Sequence, residues 1–473
     1  MAAKRARGKA GKKPASRSSR ASRARQPPAA ARKTSRHRGG GFRAKVRMYR
    51  QGLGDCFLVT LPRRGRDYTI LIDCGVIVGT PAAAEKMRAV VEDIAATTKE
   101  IDLLIATHEH WDHLSGFLQA ADSFGKFNVH EIWLSWTETP DDELARRLAG
   151  EREQALTALR LAAHRMQLSG EDSAAADELA GILEFSGAAR GTTTREALEA
   201  VQALGPVRYR RPEEPSVAPQ GVAARLYVLG PPHDEELIRR ISPLAREPET
   251  YALLFDAFMN AVLPGLFAAE SDEGQGEAVS PFGTLYAIPV AVARDLPFFR
   301  EHYWGTFGAQ WRRIDAAWLD VAAELALRLD HLTNNTSLAL AIELADGDVL
   351  LFAADAQVGN WLSWHNRAWT ADGQTVTGTD LIERAILYKV GHHGSHNATL
   401  RDKGLELMGR LQVAMLPVDR DVAVKNRWVY MPLTQLVERL AELTDGRLLR
   451  SDQDVARPWA GLTSTELYHE MTF

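Results

Sequence analysis

Along this chain apolar positions recur on two periods, and the changes of period divide it into segments. Short apolar runs bounded by turn residues read as strands at Phe42–Arg50, Cys56–Leu61 and Tyr68–Cys74, the last ending in Asp73-Cys74-Gly75. Pro81–Thr98 has helical spacing. Ile101–Thr107 is a short, largely apolar strand of the kind buried in a layered α/β protein, and Val129–Trp136 is another, after a helix that starts near Leu114. From Pro140 to Leu204 the pattern becomes charged, Ala/Leu-rich amphipathic helix, as in Glu143–Leu168 and Ala174–Glu184. A strand returns at Ala224–Leu229, closed by Gly230-Pro231-Pro232. Residues 234–330 are again mostly helical, with a polar stretch Glu270–Gly276 and an aromatic stretch Phe298–Trp311 read as core of that segment. Strands resume at Ser337–Leu344, Val349–Ala354, Ala385–Val390 and Val413–Pro417, and a helix at Thr434–Leu443 and a strand near Glu466–Phe473 close the chain. The alternation, without internal repeats, predicts one α/β domain over residues 46–473 with helical insertions at about 140–222 and 234–330.

Composition narrows the class. The chain has 473 residues, 45% of them apolar, which is enough for a large core. No run approaches the ~18–20 apolar residues of a membrane span. Two cysteines, Cys56 and Cys74, cannot build a disulfide framework or a cysteine-rich zinc module, and they fit a reducing, cytoplasmic setting. The net charge of −4 conceals a segregation: residues 1–45 hold sixteen Lys or Arg and no acid, leaving 41 basic against 61 acidic residues, about −20, on the rest. This Ala/Ser/Gly/Pro/Arg-rich tail is expected to be disordered, and it has no apolar segment that would make it a secretory signal. Lys and Arg on phosphates gain from counterion release, so nucleic acid is a candidate partner; a solubilising extension is the plainer alternative.

The chemistry concentrates in Thr107-His108-Glu109-His110-Trp111-Asp112-His113-Leu114-Ser115-Gly116, directly after a buried strand. Three imidazoles and a carboxylate this close would repel when protonated unless a cation organised them. They are the ligand types of zinc and its neighbours. His108 and His110, two residues apart, can face one ion while Asp112 and His113 turn to a second. Asp355, past the strand Val349–Ala354, and Gly391-His392-His393-Gly394-Ser395-His396, past Ala385–Val390, place further ligand types at strand ends, where α/β proteins build sites.

With Gly52-Leu53-Gly54-Asp55-Cys56, Leu71-Ile72-Asp73-Cys74-Gly75, Val228-Leu229-Gly230-Pro231-Pro232, Asn334-Asn335-Thr336-Ser337, Ala354-Asp355, Lys389-Val390-Gly391-His392-His393-Gly394-Ser395 and Arg450-Ser451-Asp452-Gln453-Asp454, the sequence resembles the metallo-β-lactamase superfamily, and within it the metallohydrolase domain of the competence-type DNA-uptake channel protein. The resemblance implies a four-layer αββα sandwich with two divalent metal ions, zinc first and manganese as alternative. It implies His108 and His110 on the first metal, Asp112, His113 and His392 on the second, and Asp355 bridging. Asp73, His393 and Asn335 would support these from behind. At Asn334–Ser337 many superfamily members carry a further metal-binding His; here there is none, so an Asn oxygen, a water or an open position stands in its place. The competence-type group's His near Tyr430-Met431-Pro432-Leu433 is also absent.

Two such ions acidify a shared water and clamp the attacked centre, so the expected activity is hydrolysis by a metal-activated hydroxide. Asp112 and Asp355 serve that chemistry, with Asp55 as a proton shuttle and Lys389 as a weaker candidate for an anion contact. A phosphodiester, with nucleic acid foremost, is the first substrate expectation. A small ester, lactone or phosphoester is the second, and a non-catalytic partner-binding protein on the same fold is the third.

Overall fold

Residues 41–169, 194–241, 288, 290–303, 326, 328–426, 428 and 431–473 are described by the structure, a computed structural model. The tail up to residue 40, the helix expected at Ala174–Glu184, the stretch Glu270–Gly276 and the aromatic residues from Trp304 to Trp311 lie outside them. In chain order the strands are β1 Lys45–Tyr49, β2 Cys56–Leu61, β3 Tyr68–Cys74, β4 Glu100–Ile101, β5 Leu103–Ala106, β6 Asn128–Val129, β7 Ile132–Ser135, β8 Val207–Arg210 and β9 Ala224–Gly230. They continue as β10 Ala339–Leu344, β11 Val349–Phe352, β12 Ala368–Ala371, β13 Gln374–Thr377, β14 Ala385–Lys389, β15 Val413–Leu416, β16 Leu448–Arg450, β17 Leu462–Ser464 and β18 Tyr468–Thr472.

Two sheets carry the fold, one of eight strands in the order β17-β18-β1-β2-β3-β5-β7-β8 and one of six in the order β16-β15-β14-β11-β10-β9. Each is antiparallel on one side and parallel on the other: β3, β5, β7 and β8 run together, as do β11, β14, β15 and β16. The turn between β10 and β11 uses Asp346-Gly347, with Gly347 at φ +85°, a conformation that a Cβ would disfavour.

Alternation along the strands splits their side chains between three apolar layers. Val46, Phe57, Ile70 and Ile105 meet Val228, Leu340, Phe352 and Met415 between the two sheets, and the Phe57 and Phe352 rings touch edge to face at 5.8 Å. On the outer face of the first sheet, Leu58, Leu71 and Leu104 pack against Met87, Val90 and Ile94 of the helix Ala83–Thr97 and against Leu114 and Phe117 of the helix Trp111–Gln119. On the outer face of the second, Tyr227, Leu351 and Tyr388 pack against Trp361 and Trp364 of the helix Val358–Trp364. Each fully buried large apolar side chain contributes about 1.5–3 kcal/mol. Helix, sheet, sheet, helix is the αββα order of a metallo-β-lactamase fold.

Two details differ from the expected pattern. The segment read as a first helical insertion contains the helices Glu143–Ser169 and Thr194–Gln202 but ends in β8, which pairs in parallel with β7 and extends the first sheet. Val207 and Tyr209 alternate there with Arg208 and Arg210, too short a run to stand out among helical residues. Phe298, read as core, is 58% exposed on the helix Pro297–His302.

Candidate metal centre

The ligand-type residues converge because parallel strands release their loops at one end of the sandwich. β5 leads into Thr107 and His108, β11 into Asp355, and β14 into His392 and His393. β2 runs the other way, so Asp55 enters from its start, and Cys56 lies opposite Cys74 at the end of β3. Gly75 lets the chains meet: a Cβ there would come within 2.4 Å of the Asp112 carbonyl carbon. Across this contact the Asp55 N–H donates to the Asp112 carbonyl at 3.0 Å.

Asp73 works from behind. Its carboxylate accepts from the Thr107 N–H and hydroxyl, both at 2.8 Å, and from His113 Nδ1 at 2.8 Å. His113 therefore turns Nε2 inward, 3.2 Å from Asp355 Oδ2 and 3.6 Å from Asp112 Oδ2, where it makes no hydrogen bond among the described residues. His393 donates Nδ1 to the Pro417 carbonyl at 2.8 Å and places Nε2 2.8 Å from Asp112 Oδ2. Asp55, His113, Asp355 and His393 each offer an atom within 4.8 Å of the others'.

Alongside lies a second grouping. His108 Nε2 is 3.0 Å from His110 Nδ1 and 3.1 Å from Asn334 Oδ1. The site is assembled under backbone strain: Asp73, Ala354, His392 and His393 all have φ between +40° and +54°, a region costly for residues with a side chain and concentrated at functional sites.

The expected residues do not all fall where the motif order placed them. His393, assigned a supporting role, stands in the cluster, whereas His392 engages Ser395 Oγ through Nδ1 at 2.8 Å and Asn334 Nδ2 through Nε2 at 3.3 Å. The two consecutive left-handed residues turn the second imidazole, not the first, toward Asp112. Asn335 is likewise displaced. Its amide donates to the carbonyls of Leu237 and Ile238, at 2.9 and 2.7 Å, and its oxygen accepts from the Gln357 and Asn360 N–H groups; the side chain that reaches His108 is Asn334. His396 is exposed, and His331 is held by Gln357 at 2.9 Å.

Sequence reasoning missed the central place of Lys389. Lys389 Nζ, fully enclosed, donates to the Ala354 carbonyl at 2.9 Å and pairs with Asp355 Oδ1 at 3.2 Å and Asp55 Oδ2 at 2.5 Å. Its position at the end of a buried strand was the available signal, since a lysine there needs a partner. Glu109, between the two first-motif histidines, turns away from the cluster to Thr194 Oγ1 at 3.1 Å and to Arg152 of the helix Glu143–Ser169.

Electrostatics divides the site in two. Burial opposes charge on His113 and His393, but the surrounding carboxylates, Asp355 and Asp112 foremost, outweigh it and raise both. Against the same opposition Lys389 and His113 hold Asp355 well below the usual carboxylate range, and His113 and His393 lower Asp112. Asp55 goes up, because burial exceeds the help of Lys389 and His113. On the other side burial, with neighbouring histidines, pushes His108 well down and His110 to about 4. The enclosed carboxylates thus draw positive charge toward them, from Lys389 and from the raised His113 and His393. Divalent cations fit the same demand: the donors are imidazole nitrogens and carboxylate oxygens, and His113 Nε2 and Asp112 Oδ1 are buried without hydrogen-bond partners among the described residues.

The chain is an αββα sandwich with a buried His/Asp cluster at its strand ends, and its residues 49–185 match the family model of the metallo-beta-lactamase superfamily. That stretch contains β2 to β7 and the His108–His113 motif. No curated protein matches the chain.

Proposed function

We propose that the protein is a dinuclear metal-dependent hydrolase acting on a phosphodiester. One observation carries the reading: Asp112, His113, Asp355 and His393 converge in an enclosed, acid-rich cluster next to the His108–His110–Asn334 group, and His113 Nε2 and Asp112 Oδ1 have no hydrogen-bond partner among the described residues. His108, His110 and Asn334 would hold a first ion, and Asp112, His113 and His393 a second, with Asp355 shared between them. Bound divalent cations would acidify a water and neutralise charge on the attacked group. The chain's own residues do the rest. Asp73 fixes the His113 tautomer, Lys389 anchors Asp355 through Oδ1 so that Oδ2 faces the cluster, and Asp55 Oδ1, buried and without a hydrogen-bond partner among the described residues, would accept the proton the attacking water loses. The phosphodiester choice rests on the likeness to the competence-type group and on the basic N-terminal segment.

A second reading, a small ester or phosphoester as substrate, is favoured by enclosure: none of these ligand-type side chains belongs to a residue more than 4% exposed. Hydrolysis of single-stranded DNA and of bis(p-nitrophenyl) phosphate, each with Mn²⁺ or Zn²⁺, tests both. Activity on either is expected to fall at least about 100-fold in His113→Ala and Asp355→Ala, more than loss of a supporting residue costs. Cleavage undiminished in both variants would sink the metal mechanism, and activity on the small diester alone would decide for the second reading.

A further inference from the structure

Helical residues 328–335 close the second insertion and deliver Asn334 to the site; one turn earlier the same helical face carries Asp330. Asp330 is 7% exposed. Its Oδ2 accepts from Asn334 Nδ2 at 3.1 Å, while Oδ1 accepts no hydrogen bond among the described residues and lies 3.6 Å from His110 Nε2. An Asn amide has one donating and one accepting end, and its orientation follows from its partners. With Nδ2 directed to Asp330 at 3.1 Å and, more weakly, to His392 Nε2 at 3.3 Å, Asn334 presents Oδ1 to His108 Nε2 at 3.1 Å. A carboxylate behind Nε2 also favours the His110 tautomer protonated there, with the Nδ1 lone pair on the side that faces His108. An enclosed carboxylate with an unsatisfied oxygen is costly, and packing alone gives no reason for one here.

We propose that Asp330 is a positioning residue of the first cation site, acting on two of its three donors at once: on Asn334 through the amide it orients, and on His110 from behind the ring. This rests on the metal-dependent reading above. Asp330 would take over part of the work of the absent third histidine, since Asn334, a weak neutral donor, presents its oxygen only while its nitrogen is held elsewhere.

The test is calorimetric titration of the chelator-stripped full-length protein with Mn²⁺, alongside elemental analysis of bound metal. The wild type is expected to take up two ions. Asp330→Ala should weaken one step by about 10–100-fold and leave the other unchanged. Asp330→Asn, which keeps an oxygen acceptor for Asn334 but replaces the oxygen facing His110 with an amide nitrogen, should fall between. His393→Ala should weaken the other step, which identifies the two sites. Two unchanged steps in Asp330→Ala, with one lost in His108→Ala, would overturn the assignment and spare the metal reading. Loss of both steps together in both Asp330 variants would mark a merely fold-maintaining acid and also overturn it. A wild type that binds no ion would overturn both readings.

Discussion

Asp73 is the residue on which the geometry of the candidate site turns, because three hydrogen bonds to it fix both Thr107 and His113. Asp73→Asn keeps the shape but can no longer accept from all three donors at full strength. It is expected to lower metal affinity about 10–100-fold while changing unfolding little, measured by chelator competition beside thermal melts. Equal losses in affinity and stability would contradict this. Asp142 offers a stability test away from the site. It caps the helix Glu143–Ser169 by accepting from the Ala145 N–H at 2.9 Å, and pairs with Arg211 and His233 at 2.7 and 2.9 Å. Burial opposes its charge, yet these partners lower it to about 2. A depressed folded-state value means that its stabilisation is complete above the unfolded value, about 3.9, and disappears as pH falls toward 2. Asp142→Ala should therefore cost about 1–2 kcal/mol at neutral pH, with its melting curve converging on the wild type's near pH 2.

At the scale of elements, the helix Glu143–Ser169 is tied directly to the metal motif. Its Arg152 pairs with Glu109, the residue between His108 and His110, and lies 3.6 Å from Glu138. Removing one partner of a largely buried pair strands the other, so Arg152→Met should destabilise the protein by about 3 kcal/mol in denaturant unfolding, and Arg152→Met with Glu109→Gln should recover most of it. If the double variant is no better than the single one, the pair is not what docks this helix. The first insertion is on this account a strut for the His108–His113 loop, a role invisible in a sequence where Arg152 is one of several charges on a long amphipathic helix. The strands were legible because their apolar runs are short and bounded by turns: β2 and β3 occupy the ranges their pattern predicts. β8 was not, because its edge position leaves it only partly buried and only four residues long.

For the whole molecule, cation binding and folding are expected to be linked. If the folded chain alone assembles the cluster, divalent metal at 100 times its Kd should stabilise it by about 2.7 kcal/mol per site, seen as a rise in thermal midpoint. The carboxylates raise His113 and His393 toward the protonated form, and a proton held on either must leave when a cation binds. Affinity should therefore rise with pH, and calorimetry in two buffers of different ionisation enthalpy should report about one to two protons released at neutral pH. Binding without proton release would show that these histidines are not ligands. The described residues contain no helix long and apolar enough to cross a membrane.

Local sequence determined which stretches are strands and helices, where the turns fall, and the inventory of imidazoles and carboxylates past the strand ends, because these depend on the period of apolar side chains and on residue chemistry. Which members of that inventory meet was decided by tertiary structure alone. His393 reaches Asp112 across 281 residues of chain, and Asn334 reaches His108 across 226. Such contacts are set by how two sheets stack and by two left-handed residues at a strand end, quantities that no local pattern encodes.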